Sequence, residues 1–153
     1  MMVSPKNGLL ILAAIWSAQA LSYDQNIPPT VNGLHLGDSY SQVIGQLGNA
    51  EVLPMEPGVF TMLYGNGGLS LILSDHAGVS RIEQIDASTP TSGSVYGVQV
   101  GQPKSMVEQM VGQLNFSDSD SMNDAVLLGR GWRIHFVFDD QDILQKFVLV
   151  AAR

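Results

Sequence analysis

The sequence contains no cysteine, which excludes two common ways of stabilising a small protein. Disulfides and thiolate zinc sites both require this residue. We therefore expect the fold to depend on its apolar core alone. A lipid attached through an N-terminal cysteine is not expected either.

Basic residues are scarce. The chain has 7 Lys and Arg residues against 14 Asp and Glu residues, which gives a formal net charge of −7 at pH 7. A protein that binds nucleic acid presents a positive surface that displaces counterions from the phosphates. Because this sequence lacks the residues for such a surface, nucleic acid is not an expected partner.

Long apolar runs are lacking after the start of the chain. "LLILAAIW" (Leu9–Trp16) follows Lys6 and precedes "SAQA", which ends in the small residues Ala18 and Ala20. This order is typical of a signal peptide, whereas a membrane-spanning helix needs about 20 apolar residues. We predict a signal peptide over 1–20, cleavage near Ala20, export to the periplasm or the cell exterior, and no membrane span. Loss of Lys6 would change the formal charge from −7 to −8.

Two stretches of the sequence are similar to each other. "GLHLGDSYSQVIGQLG" (Gly33–Gly48) and "GVQVGQPKSMVEQMVG" (Gly97–Gly112) share three glycines, one serine and one valine at the same spacing. Both have apolar residues at helical spacing, which predicts an amphipathic helix in each. Asp38 is the expected N-cap of the first helix, and Pro103 is expected at the first helical position of the second.

Each predicted helix is followed by stretches that alternate apolar and polar residues, which predicts antiparallel strands. "GNGG" and "GRG" are expected to be hairpin turns. We predict an α+β fold of two tandem helix-plus-antiparallel-sheet repeats, with the helices packed on one face of the sheet and the other face open. The predicted parts are an extended N-terminal lead over 21–31, repeat 1 over 32–86, a linker over 87–95 and repeat 2 over 96–153.

The spacing G-x-x-x-G-x-x-x-x-x-V-x-x-x-x-G, followed by hairpin strands with aromatic residues, resembles two groups of exported proteins. One is the SmpA/BamE-type lipoproteins of outer-membrane assembly, which have one such unit. The other is the β-lactamase inhibitory proteins, whose two tandem units form a concave sheet that grips an enzyme, and the tandem arrangement is closer to this group. The resemblance implies a fold more than a function. The chain departs from both groups because it has no cysteine for a lipid or a disulfide, and a β-lactamase is not an expected target.

Residues with metal-binding or catalytic chemistry are scattered along the chain. His35, His76 and His135 show no paired spacing on a helix. "DSDSMND" (Asp118–Asp124) lacks the central glycine and the distal glutamate of a calcium loop. No serine lies in a G-x-S-x-G elbow. We therefore assign no catalytic residue, no metal ligand and no cofactor.

The stretch "WRIHFVF" (Trp132–Phe138) indicates which side of the sheet is available to a partner. If Trp132 and Phe136 face the core, then Arg133 and His135 face outward. A shift of one residue in register would exchange the two faces. Arginine beside apolar side chains is frequent at protein interfaces. The predicted partner-binding residues are Ile72, Arg81, Arg130, Arg133, His135 and Lys146.

The predicted function is that of an exported, non-enzymatic module that binds another exported or envelope protein through an open sheet face, as an inhibitor does. A structural or assembly component of the bacterial cell envelope is the first alternative. A small hydrolase or metal-dependent enzyme is the second, and it would need a cluster of catalytic groups that the sequence does not show. The sequence predicts neither the identity of the partner nor the oligomeric state.

Overall fold

The fold, taken from a computed structural model, is described for residues 23–24, 26–112, 114–116 and 123–152. The predicted signal peptide over 1–20 lies outside these residues. In chain order the elements are α1 (Tyr40–Leu47), β1 (Glu51–Glu56), β2 (Val59–Tyr64), β3 (Leu69–His76), β4 (Val79–Ala87), α2 (Lys104–Val111), β5 (Asn115–Phe116), β6 (Asp124–Leu128), β7 (Trp132–Phe138) and β8 (Leu144–Ala151).

The eight described strands form one antiparallel sheet in the order β1-β2-β3-β4-β8-β7-β6-β5. The sheet is continuous because β4 pairs with β8, from Gln84 opposite Val150 to Ala87 opposite Phe147. As predicted, the "GNGG" segment connects β2 to β3 and the "GRG" segment connects β6 to β7. Most neighbouring strands are therefore joined by short hairpins.

One face of this sheet is buried in an apolar core. The inward-facing residues of β7 are Trp132, Ile134, Phe136 and Phe138, and all four are buried, which is one of the two orientations that the alternating pattern allows. Ile85 on β4 lies opposite Leu149 on β8, and both are fully buried. The core therefore runs without interruption across the pairing of β4 with β8.

The predicted pair of tandem repeats, with helices packed on one face of the sheet, is wrong. The described strands form one antiparallel sheet, and one core cluster includes residues from both predicted units. The two helices have only eight residues each; α1 buries Val43, and α2 buries Val107 and Val111. Loops form much of the rest of the layer that covers the buried face of the sheet. They contribute the buried residues Val31, Leu34, Val95, Val98 and Val100.

The glycines shared by the two similar stretches have a local explanation. Gly33 and Gly37 have φ values of 78° and 89°, and Gly97 and Gly101 have values of 79° and 99°. Glycine adopts these positive values at no steric cost, unlike other residues. The shared glycines therefore follow from turn stereochemistry and do not require a duplicated unit. Whether residues 32–86 and 96–153 fold as separate units stays a prediction.

The helix N-termini differ slightly from their predicted form. Ser39, not Asp38, is the N-cap of α1: Ser39 Oγ accepts from the Gln42 amide, and Gln42 Oε1 accepts from the Ser39 amide at 2.7 Å. This reciprocal pair is a capping box. The Asp38 carboxylate accepts instead from the amide of His35 at 2.8 Å. Pro103 is the N-cap of α2, where it makes no side-chain bond.

Candidate functional site

The sheet face opposite the core, here called the open face, carries the strand residues that alternate with the buried ones. These residues are half-buried or exposed, and the buried residues of both helices belong to the core on the other side. In the described part of the chain this face therefore has no covering layer. From β2 to β8 it is lined by Thr61, Leu63, Ser70, Ile72, Gln84, Asp86, Val126, Leu128, Arg133, His135, Val137, Lys146, Val148 and Val150.

Arg133 lies in a row of open-face side chains that crosses the strands. Val150 on β8 is its neighbour on one side, and Leu128 on β6, which is 60% exposed, is its neighbour on the other. The row continues through Gln84 to Ile72. With about 4.8 Å between strands, Ile72 and Arg133 are about 14 Å apart. An exposed guanidinium is thus flanked by aliphatic side chains within a surface wide enough for a protein contact.

His135 lies in the next row, and an acidic residue, Asp124, lies close to it in the row after that. His135 Nδ1 lies 3.6 Å from Asp124 Oδ1. This carboxylate oxygen is buried and has no hydrogen-bond partner among the described residues, whereas buried polar atoms in proteins nearly always have one. A donor on a docked molecule or a protonated imidazole would satisfy it.

Asp86 lies on β4 in the middle of the open face. Burial raises the pKa of its carboxyl above the ordinary value of 3.8, and this effect exceeds the opposing effects of a hydrogen bond from Gln84 and the positive charge of Lys146. The bond runs from Gln84 Nε2 to Asp86 Oδ1 at 2.8 Å. The half-buried aliphatic residue Val148 lies directly opposite on β8. The centre of the open face is therefore already partly desolvated in the free protein.

The structure brings four of the six predicted partner-binding residues together on the open face: Ile72, Arg133, His135 and Lys146. Arg81 lies apart, because its Nη1 donates to the carbonyl of Gly37 at 3.0 Å. Arg130 is exposed in the turn between β6 and β7, at the end of this face rather than on it.

Sequence reasoning missed Asp86 and Asp124 as members of this surface. The alternation in "RIEQID" places Asp86 on the same side as Gln84, so its position was accessible from the pattern. Asp124 was grouped with a possible calcium loop, but it is the first residue of β6. Asp118 and Asp120 of that loop lie outside the described residues.

The cluster closest in composition to a catalytic triad contains Ser74, His76 and Glu83. Ser74 Oγ lies 2.9 Å from His76 Nε2, and Glu83 Oε1 lies 3.3 Å from the same nitrogen. In a working triad the serine and the acid contact different ring nitrogens, so that one accepts a proton while the other is held by the acid. Ser74 is also buried. This arrangement does not support nucleophilic catalysis.

Metal-ligating side chains are not gathered in the described residues. His35 lies 3.7 Å from Asp38 and His76 lies near Glu83, so that each histidine of the chain has one acidic neighbour. Nowhere in residues 23–24, 26–112, 114–116 and 123–152 do three or more His, Asp or Glu side chains meet as metal ligands would.

Two solved structures have a similar fold. One is an extracellular protein containing a SCP domain from Bacillus anthracis, with a TM-score of 0.62, 10% identity, and coverage of 76% of this chain and 44% of that chain. The other is a cysteine-rich secretory protein from Staphylococcus aureus, with a TM-score of 0.60, 16% identity, and coverage of 81% and 47%. The chain thus spans less than half the length of each. At these identities the likeness concerns the fold alone.

The comparisons correct the predicted family. The similar structures are SCP-domain and cysteine-rich secretory proteins, not β-lactamase inhibitory proteins or SmpA/BamE-type lipoproteins, so the predicted resemblance is wrong. The sequence matches no family model and no curated protein. None of the helices in the described residues is long and apolar enough to cross a membrane.

Proposed function

We propose that this chain is an exported, non-enzymatic module that binds another protein through the open face. The proposal is carried by the composition of that face, where the exposed Arg133 and Lys146 lie among partly buried aliphatic side chains. A sheet face that only meets water is usually polar, whereas the centres of protein interfaces combine apolar side chains with arginine. Shallow, wide and partly desolvated surfaces suit protein partners better than small molecules.

Export is part of the same proposal. The order of charged, apolar and small residues over 1–20 supports it, and the two similar structures are named as an extracellular and a secretory protein. The partner would then be another protein of the periplasm, the envelope or the medium.

The test is affinity capture from the exported-protein fraction of the source cells, with the chain from Leu21 onward as bait. Three baits are compared: the wild type, Ile72→Asp on the open face, and Val52→Asp on β1, where the valine lies opposite the buried Met62 and is already 45% exposed. The two variants place a carboxylate at a β-branched aliphatic position. Circular dichroism and thermal melting confirm that each bait is folded.

We expect the wild type and Val52→Asp to retain the same protein, and Ile72→Asp to lose it, because a buried unpaired carboxylate at an interface is costly. Binding of the purified candidate to all three baits then gives the affinity ratio. Equal capture by all three baits would remove the open face from the proposal. Retention of the chain in the envelope fraction, regardless of Ile72→Asp, would favour a structural envelope component instead.

A further inference from the structure

We infer that the partner presents a carboxylate side chain between apolar side chains, and that Arg133 binds this carboxylate. The inference rests on the proposed function and adds the chemistry of the partner. It starts from the distribution of charge over the described residues.

The guanidinium of Arg133 is not bound to any other described residue. Three acidic side chains of the described residues lie against histidines: Asp38 against His35, Glu83 against His76, and Asp124 against His135. Arg133 forms no hydrogen bond or ion pair with any other described residue, in contrast to Arg81, which is bound to the Gly37 carbonyl. Its five guanidinium donors are therefore available to a ligand.

The neighbours of Arg133 would strengthen the attraction between its guanidinium and a carboxylate once a partner covers it. Val150 and Leu128 flank it on the adjacent strands, so that a docked apolar surface would exclude water from both sides. Charge interactions strengthen as the local dielectric constant falls. The planar guanidinium fits a carboxylate through two parallel hydrogen bonds, which a lysine cannot form.

The overall charge favours one carboxylate over an extended anionic surface. The chain has a net charge of −7, and Asp86 and Asp124 lie on the same face as Arg133. A membrane of anionic lipids or a polyanion would contact Asp86 and Asp124 together with Arg133, and the excess negative charge of the chain would repel it. A single carboxylate in contact with Arg133 interacts mainly with the guanidinium, because charges farther away than about 8 Å are screened at physiological ionic strength.

The test is selection from a random peptide library displayed on yeast, with the chain from Leu21 onward as the soluble target. The wild type is compared with Arg133→Glu and with Lys104→Glu, which makes the same charge reversal on α2, on the core side of the sheet. We expect the wild type and Lys104→Glu to enrich peptides with Asp or Glu between apolar residues. Arg133→Glu should bind these peptides at least about tenfold more weakly and should enrich Lys or Arg at the same place.

Enrichment without acidic residues, or unchanged binding by Arg133→Glu, would overturn the inference. Ile72→Asp then separates this failure from failure of the proposed function: if it abolishes binding, the open face still binds proteins and only the partner chemistry is wrong. If neither variant affects binding, both are wrong. Binding of phosphatidylglycerol vesicles to the wild type but not to Arg133→Glu, without any enriched peptide, would assign the surface to a membrane and overturn the inference.

Discussion

Trp132 sets a tight steric limit on the turn that precedes β7. A Cβ atom at Gly129 would lie 2.0 Å from Cε2 of the indole, which has little room to move because the rings of Tyr23 and Tyr96 pack against it. We therefore expect Gly129→Ala to lower the free energy of unfolding by about 1–3 kcal/mol, the usual cost of overpacking. Urea denaturation followed by Trp132 fluorescence measures the change.

Gly45→Ala in α1 is the matched control for this substitution. A Cβ atom there would meet nothing within 4 Å, and the backbone is helical. This variant should stabilise the protein by about 0.5–1 kcal/mol, because alanine is the better helix former. If the two variants changed stability by the same amount, contact with the indole would not be the cause.

Asp86 makes the stability of the fold depend on pH. Its pKa is raised in the folded state because the carboxyl is buried, so the folded protein holds this proton more tightly than the unfolded chain. Asp86 therefore lowers stability at neutral pH, and the loss is reversed as the pH falls through the raised pKa toward the ordinary value of 3.8. Asp86→Asn removes the charge and keeps an acceptor for Gln84.

We expect Asp86→Asn to raise the free energy of unfolding at pH 7 on the order of 0.5 kcal/mol, the scale typical of partly exposed positions. The gain should disappear in acid, where the wild-type carboxyl is also neutral. Urea midpoints across the acidic range test this. A loss of stability at pH 7 would show that the attraction between Asp86 and Lys146 outweighs burial.

The orientation of single side chains was predictable only where the strand is regular. Alternation predicted that Trp132 and Arg133 point to opposite faces, and they do, because β7 pairs in register with β8 over most of its length. Arg81 lies opposite Ser74, and the pairing of β3 with β4 is irregular between this pair and the pair of Ile72 with Gln84. Since a bulge adds a residue without changing the apolar pattern enough to be recognised, the sequence could not show that Arg81 reaches Gly37 instead of a partner.

Strand β1 forms one edge of the sheet, and each of its six residues is exposed. It presents the aliphatic side chains of Val52, Leu53 and Met55, two of them more than 44% exposed. Open edges of this kind invite pairing with another chain. Two features oppose that pairing: Pro54, which lacks an N–H donor, and the irregular pairing between Pro54 and Glu56.

Pro54→Val removes the main obstacle to edge pairing. The variant gains a backbone donor and an extended β-branched residue, so we expect it to associate as its concentration rises, while the wild type associates less. Size-exclusion chromatography with light scattering measures the effect. Pro90→Val, in the exposed linker, adds the same side chain away from the sheet edge and should behave as the wild type. Equal association of both variants would point to added hydrophobicity rather than to the edge.

The sequence predicted individual elements better than their assembly. Both helices and the two hairpin turns have local signals in capping residues, apolar spacing and glycines. The pairing of β4 with β8 joins segments that are distant in the chain, and no local pattern specifies it. The predicted tandem repeats were wrong, and the strands assigned to them form one continuous sheet that is joined where β4 pairs with β8. Whether residues 32–86 and 96–153 fold as separate units stays a prediction.

At the scale of the whole molecule, the continuous core predicts one cooperative unfolding transition. Ile85 and Leu149 are fully buried at the pairing of β4 with β8, so neither half can open without exposing apolar surface of the other. Trp132 reports on β7, and hydrogen exchange of the amides in β2 and β3 reports on the other half. Both signals should change at the same urea concentration, as expected of a single domain of this size.

Leu149→Ala tests this coupling directly. The substitution leaves a cavity at the junction of β4 and β8 and should cost about 2–5 kcal/mol, with both signals shifting together. Leu128→Ala removes a leucine that is 60% exposed on the same sheet, and its effect should stay within about 0.5 kcal/mol. If the amides of β2 and β3 remained protected after the Trp132 signal was lost, residues 32–86 and 96–153 would be separate folding units. If the Trp132 signal and the amide signals of β2 and β3 shift together, the sheet unfolds as one unit. A partner bound at Arg133 would then stabilise the entire sheet, including the distant strand β1.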